Sequence, residues 1–284
     1  MKIYKTNEIK NIALLGSKGS GKTTLAESML YECGVIKRRG TIEAGNTVCD
    51  YFPVEKEYGY SVFSTVFYAE FLNKKLNVID CPGADDFVGN AITALNVTDT
   101  GVIVINGQYG VEVGTQNIFR TASSIKKPII FAINQLDGEK ADYDNVIEQM
   151  KEIFGSKVVP IQYPLQCGPG FNAMVDVLLM KKYSWGPDGG VPGTPMSLAA
   201  LTQNTGYMER SISPLRMPIL ISSSVRCSVS KNFSIRLSSF SAAASTRALC
   251  SSIARSISSA GISSMTGTPP SGPHEYFFIS STST

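Results

Sequence analysis

The chain has 284 residues and 43% hydrophobic content, enough for a buried core in one large or two small domains. Its formal net charge of +3 divides unevenly: residues 1–192 carry 21 acids and 19 bases, whereas residues 193–284 carry two acids and seven bases. The densest basic run of the first part is Lys37-Arg38-Arg39, which reads as a solvated loop, so direct DNA binding is not expected.

From Asn11 to about Leu179, apolar runs alternate with segments of helical period, the pattern of an α/β sheet with helices on its faces. A strand at Ile12–Leu15 leads into Gly16-Ser17-Lys18-Gly19-Ser20-Gly21-Lys22-Thr23, a match to G-x-x-x-x-G-K-[ST], and then into a helix at Lys22–Tyr31. Phosphate oxygens need several donors converging within one turn. Glycines at 16, 19 and 21 let backbone N–H groups reach them at the positive end of the helix. In this reading Lys22 contacts the β- and γ-phosphates, the Thr23 hydroxyl ligates magnesium, and Thr24 completes the phosphate-binding stretch.

Strands follow at Val62–Phe71 and Leu76–Ile79, and the four residues Leu72-Asn73-Lys74-Lys75 between them are too few for a helical crossover. The two strands are therefore expected to pair antiparallel. Asp80-Cys81-Pro82-Gly83 ends the second of them, where a carboxylate at the sheet's carboxyl edge holds a magnesium shell and Gly83 swings toward a γ-phosphate. Lys22, Asp80 and Gly83 are the expected catalytic set.

A helix at Asp86–Leu95, a strand at Val102–Ile105, a helix at Thr115–Ser124 and a strand at Ile129–Ile133 bring the chain to Asn134-Gln135-Leu136-Asp137. The Asp137 carboxylate suits guanine, because it accepts both the ring N–H and the exocyclic amine, a donor pair that adenine lacks. A helix at Tyr143–Phe154 and a strand at Val158–Tyr163 follow. The expected fold is a P-loop NTPase G domain: a mostly parallel sheet with one antiparallel strand pair and helices on both faces.

Cys33, Cys49, Cys81, Cys167, Cys227 and Cys250 contain no CxxC pair, which argues against a zinc site or a disulfide framework. Met1-Lys2-Ile3-Tyr4-Lys5 opens a polar stretch, and no apolar run is long enough to span a bilayer. A cytoplasmic monomer away from membranes is expected.

Translational GTPases carry these motifs in this order, and the chain resembles the N-terminal part of elongation factor G. Glu43-Ala44-Gly45-Asn46-Thr47 through Gly59-Tyr60-Ser61-Val62 resembles the family's first switch, and Ile92-Thr93-Ala94-Leu95 through Val111-Glu112 the region after its second. Val159-Pro160-Ile161-Gln162-Tyr163-Pro164 and the run to Lys182-Tyr183-Ser184-Trp185 resemble the start of its insert subdomain, so the likeness covers roughly Asn7 to Pro192. The resemblance implies GTP and GDP as ligands, Mg2+ as the metal and the ribosome as the partner. It also implies Asn134, Gln135 and Asp137 at the base, and Thr23, Ser61 and Asp80 at the metal.

The departures carry expectations of their own. Ser17-Lys18-Gly19 stands where the family usually has His-Val-Asp, and Ser61 where it has a magnesium-sensing Thr. Gln135 replaces the base-site Lys, whose stem covers the ring, so weaker nucleotide binding is expected. Ala84 occupies the place of the His that positions the attacking water, and the chain's one histidine is His274. Loss of such a group costs about 10² to 10⁴ in rate, so slow hydrolysis is expected, with Asp85 and Asp86 as nearby but solvated carboxylates.

From Gly193 onward the chain changes character: 24 of its last 92 residues are Ser and no hydrophobic period persists, which reads as an irregular or disordered tail. The codons of Met174–Pro192, read on the complementary strand with a one-base offset, are compatible with all of Gly267–Thr284. The expected division is therefore residues 1–192 as an incomplete GTP-binding domain and 193–284 as an antisense-derived segment, not a native domain. The family's last strand, helix and loop would then be missing, leaving an open sheet edge. A small-molecule P-loop kinase, preferring adenine, and a non-functional chimeric fragment are the alternatives.

Overall fold

In the computed structural model the residues described are 2–155, 158–177, 179–186, 189–195 and 276–280. Cys227, Cys250, His274 and most of the expected tail lie outside them.

The chain starts with β1 (Ile9–Leu15), α1 (Lys22–Glu32) and a short α2 (Pro53–Tyr58), followed by β2 (Thr65–Phe71) and β3 (Lys74–Asp80). Next come α3 (Val88–Val97), β4 (Thr100–Asn106), α4 (Val113–Ser124), β5 (Ile129–Asn134) and α5 (Tyr143–Phe154). Then β6 (Val158–Pro160), β7 (Gln162–Pro164), β8 (Ala173–Asp176), β9 (Lys181–Gly186), β10 (Gly189–Pro195) and β11 (Tyr276–Ser280) complete the described elements.

The main sheet has seven strands in the order β2-β3-β1-β4-β5-β11-β6. All its pairings are parallel except β2 with β3, which pair antiparallel from Thr65 opposite Asp80 to Phe71 opposite Lys74. The turn between them is Leu72-Asn73, both at positive φ (46° and 60°), the two-residue geometry whose twist matches that of a strand pair. The mostly parallel sheet with one antiparallel pair is thus as the sequence predicts.

Alternation along the strands divides the core in two. Ile12, Leu14, Val102, Val104, Ile130 and Ala132 pack with Leu25, Ala26, Met29 and Leu30 of α1 on one face. Ala13, Leu15, Ile103, Ile105, Phe131 and Ile133 pack with α3, α4 and α5 on the other. Strands buried on both faces read as continuous apolar runs, which is why β4 and β5 are buried at every position. Phe131 stacks on Phe154 of α5 with ring centroids 4.9 Å apart, and Phe119 of α4 lies 4.4 Å from Phe154.

Several boundaries differ from expectation. The single strand expected over Val158–Tyr163 is two: β6 joins the main sheet, while β7 belongs to a second, antiparallel sheet of order β10-β9-β8-β7. Ile161, buried between them, packs in the α1-side core, and the Tyr143 hydroxyl donates to the Gln162 carbonyl (2.7 Å), so the chain changes sheets there. β2 begins at Thr65, not Val62, because the N–H groups of Val62 and Phe63 donate to Glu55 Oε1 (both 3.0 Å) instead of to a strand. The helix expected from Asp86 opens as a 3-10 turn over Asp85–Phe87 before α3.

The tail was expected to be irregular, and among the described residues it is not: its first three complete β10, and Tyr276–Ser280 form β11. β11 lies between β5 and β6, with Phe277 opposite Ile130 and Phe278 opposite Pro160. Tyr276-Phe277-Phe278-Ile279 is an aromatic and β-branched run, and β5 without it would present the open edge anticipated from the sequence.

Candidate functional site

The site is assembled at the carboxyl ends of β1, β3 and β5, where an α/β sheet places its ligands. Residues 16–23 turn from β1 into α1. A Cβ on Gly16 (φ 134°) would lie 2.3 Å from the Val104 carbonyl oxygen of the adjacent strand, so only glycine lets the loop leave the sheet here. Gly21 caps α1 in the left-handed conformation, and the first intrahelical bond runs from Leu25 N to Gly21 O (2.9 Å). The N–H groups of Lys22, Thr23 and Thr24 therefore stand at the positive helix end without intrahelical carbonyls.

Lys22 is buried, and its ammonium donates to the carbonyls of Gly16 (3.0 Å) and Ser17 (2.9 Å). Burial pulls its pKa down, while the Asp80 carboxylate opposes that pull. The Ser17 side chain is turned away toward α4, 3.1 Å from the Thr115 hydroxyl.

Thr23 Oγ1 donates to Asp80 Oδ2 (2.9 Å) and lies 3.0 Å from Ser61 Oγ, which donates to Asp50 Oδ1 (2.6 Å). The three residues expected at the metal are thus in one cluster, and Asp50 is an addition that no sequence motif announced. Asp80 Oδ1 and Asp50 Oδ2 are buried without hydrogen-bond partners. Burial raises both carboxyls, Asp80 to about 7 even though Lys22 and the Thr23 hydroxyl act to lower it. Two hydroxyls and two such carboxylates form a hard-oxygen set that fits Mg2+, whose charge would favour the ionised form of both acids.

Gly83 stands against Lys22 and the phosphate loop. A Cβ there would stand 2.3 Å from Lys22 Nζ and 2.8 Å from the Lys18 backbone nitrogen, so the segment after β3 approaches the loop this closely only as glycine. Ala84 follows in ordinary extended backbone (φ −76°, ψ 140°). Beside it is a small cavity of about 80 Å³ lined by Ser17, Gly83, Ala84, Asp85, Gly114 and Asn117, among others. Asp85 and Asp86 are exposed.

The segment from 33 to 64 has little regular structure and is held by two buried glutamates. Glu27 of α1 accepts from the N–H of Gly40 (3.0 Å) and from that of Val48. Glu55 of α2 accepts from Phe52 as well as from Val62 and Phe63. Neither glutamate stands out in the sequence, although Pro53 and Gly59 do mark the start and end of α2.

At the base loop, Asn134 Nδ2 donates to Ser20 O (2.9 Å) and Gln135 Nε2 to Gly19 O (3.1 Å), so both side chains reach the phosphate loop. Gln135 Oε1 also accepts from Asn106 Nδ2 (2.5 Å). Leu136 is fully buried, with its carbonyl accepting from Gly168 N (2.8 Å), and Asp137 is half-buried beside it.

The family model of the elongation factor Tu GTP binding domain matches residues 7–259. The chain belongs to this family. It is 37% identical over 180 residues to an elongation factor G-like protein of Thermotoga maritima, covering 63% of this chain and 26% of that protein. It is 32% identical over 180 residues to the mitochondrial ribosome-releasing factor 2 of Drosophila yakuba (63% of this chain, 25% of that one). Against elongation factor G 1 of Syntrophomonas wolfei it is 32% identical over 178 residues (63% and 26%). The chain spans about a quarter of the length of these relatives. A crystal structure of a Thermus thermophilus protein shares the fold, with a TM-score of 0.71 at 23% identity, covering 98% of this chain and 38% of that one. Membership of the family carries guanine-nucleotide binding. Among the described residues of this GTP-binding domain, no helix is long and apolar enough to cross a membrane.

Proposed function

We propose that the chain is a magnesium-dependent GTP-binding and GTP-hydrolysing domain of a translation factor acting on the ribosome, with slow intrinsic turnover. The observation that carries this reading is the pair of bonds from Asn134 and Gln135 to Ser20 O and Gly19 O, which ties the segment that carries Asp137 to the phosphate loop. The relatives' names, elongation factor G and ribosome-releasing factor, support the ribosomal setting.

In this reading the N–H groups of the loop and of the first turn of α1 hold the α- and β-phosphates, and Lys22 exchanges its two carbonyl partners for β- and γ-phosphate oxygens. Thr23, Ser61 and Asp80 would hold Mg2+, which when bound would neutralise charge on the phosphate oxygens. Gln135 does not replace the covering stem of a lysine, but it keeps the base loop tied to Gly19.

Calorimetry of the full chain with Mg2+ tests the reading. GDP and GTP are expected to bind, and ATP to bind more weakly by on the order of 10⁴-fold, because adenine does not offer Asp137 the donor pair that guanine does. Equal affinities for ATP and GTP would sink the guanine assignment. Asp137→Asn is expected to move the preference away from guanine, since an amide cannot accept both donors.

Residues 1–192 constitute the native part, and the remainder is antisense in origin. Support comes from the compatibility of Gly267–Thr284 with the complement of Met174–Pro192, in which Tyr276-Phe277-Phe278 answers Lys181-Lys182-Tyr183. The coding DNA is expected to contain a near-perfect inverted repeat over those codons, and non-complementary codons would refute the origin.

A further inference from the structure

The phosphate loop carries a second ammonium besides that of Lys22. Lys18 is exposed, and its Nζ lies 3.6 Å from the centroid of the Tyr60 ring. Tyr60 immediately precedes Ser61, whose hydroxyl meets Thr23 and Asp50. The Lys18 backbone nitrogen and Lys22 Nζ both crowd the point where a Cβ on Gly83 would stand (2.8 and 2.3 Å). Lys18 is thus rooted beside Gly83 and extends to the residue before Ser61. Those two segments, with Lys22, would enclose the third phosphate of a nucleoside triphosphate.

An exposed lysine on a loop ordinarily samples many rotamers, and contact with a ring face selects a subset of them. An ammonium has three N–H donors. With one directed at the ring, the other two are free to meet anionic oxygens. The third phosphate adds negative charge that a diphosphate does not bring to this position, and charge-assisted bonds to such oxygens are strong.

We propose that Lys18 is a terminal-phosphate sensor: braced against Tyr60, it donates to γ-phosphate oxygens and so links the third phosphate to the docking of Ser61 on Thr23. The inference rests on the guanine-nucleotide reading of the site. It assigns part of the GTP-over-GDP preference to a second cation of the loop, in addition to Lys22.

The test is calorimetry of the full chain with Mg2+, using GDP and a non-hydrolysable GTP analogue, on the unaltered protein and on Lys18→Ala, Lys18→Arg and Tyr60→Leu. Lys18→Ala is expected to weaken the GTP analogue at least about tenfold and GDP less than about twofold. Lys18→Arg should keep most of the preference and Tyr60→Leu should lose part of it. The double variant Lys18→Ala with Tyr60→Leu should be no weaker than Lys18→Ala alone, because both changes act through one ammonium. Equal losses for both nucleotides, or none, would overturn the proposal, as would fully additive losses in the double variant. If the unaltered chain binds neither nucleotide, the proposed function fails and this inference with it. If it binds both and Lys18→Ala leaves their ratio unchanged, this inference alone fails.

Discussion

Replacing Lys22 by alanine is expected to abolish guanine-nucleotide binding in practice. Its ammonium is buried and satisfied by two loop carbonyls, so it is already desolvated and aimed when phosphates arrive. Removing one partner of such a buried charge interaction costs about 2–5 kcal/mol, which lowers affinity by roughly 30-fold to several thousand-fold. The Asp80 carboxyl should rise further, because Lys22 is the largest influence holding it down against burial. Magnesium binding, which needs the ionised carboxylate, should weaken in parallel. Calorimetry with GDP, with and without Mg2+, checks both effects. Binding of GDP by Lys22→Ala within a few-fold of the unaltered chain would contradict the role assigned to this residue. Thermal unfolding of the nucleotide-free variant distinguishes loss of the site from loss of the fold.

Ala84→His should raise single-turnover GTP hydrolysis on ribosomes at least about tenfold, toward the 10² to 10⁴ that a well-placed proton-handling group contributes. The backbone at 84 is extended and unstrained, and the adjoining cavity of about 80 Å³ gives a larger side chain room beside Gly83. Nucleotide affinity should change little, since an imidazole there acts on the attacking water and not on the ground-state phosphates. Binding and hydrolysis would then separate: Lys22, Thr23 and Asp80 govern the first, and residue 84 the second. Fast hydrolysis by the unaltered chain would refute this. It would direct attention to Asp85, or to Glu112, a half-buried carboxyl at the start of α4 that burial raises and Lys22 lowers.

The parts of this protein that were legible in its amino-acid order are those whose physics is local. The phosphate loop, Asp80-Cys81-Pro82-Gly83 and Asn134–Asp137 are contiguous, because each must present its groups from one turn at the end of one strand. The ends of α5 agree with expectation at both Tyr143 and Phe154, since Asp142 caps its start and Gly155 stops it. The β2–β3 hairpin followed from the shortness of its connection alone.

What only the tertiary structure decided depends on partners far along the chain. Outside α2 the 33–64 segment has no period to read, and the N–H groups of Gly40, Val48, Val62 and Phe63 are satisfied not by a helix or strand but by Glu27, 13 and 21 residues before the groups it holds, and by Glu55. Asp50 joins the cluster of Thr23, Ser61 and Asp80 only because Ser61 is folded back onto Thr23. The base loop reaches the phosphate loop across more than a hundred residues, through side-chain amides whose orientation no spacing rule encodes. The break at Ile161 has the same origin. Val158–Tyr163 is apolar enough for one strand, and only the simultaneous demands of two sheets, one on each side of that residue, divide it.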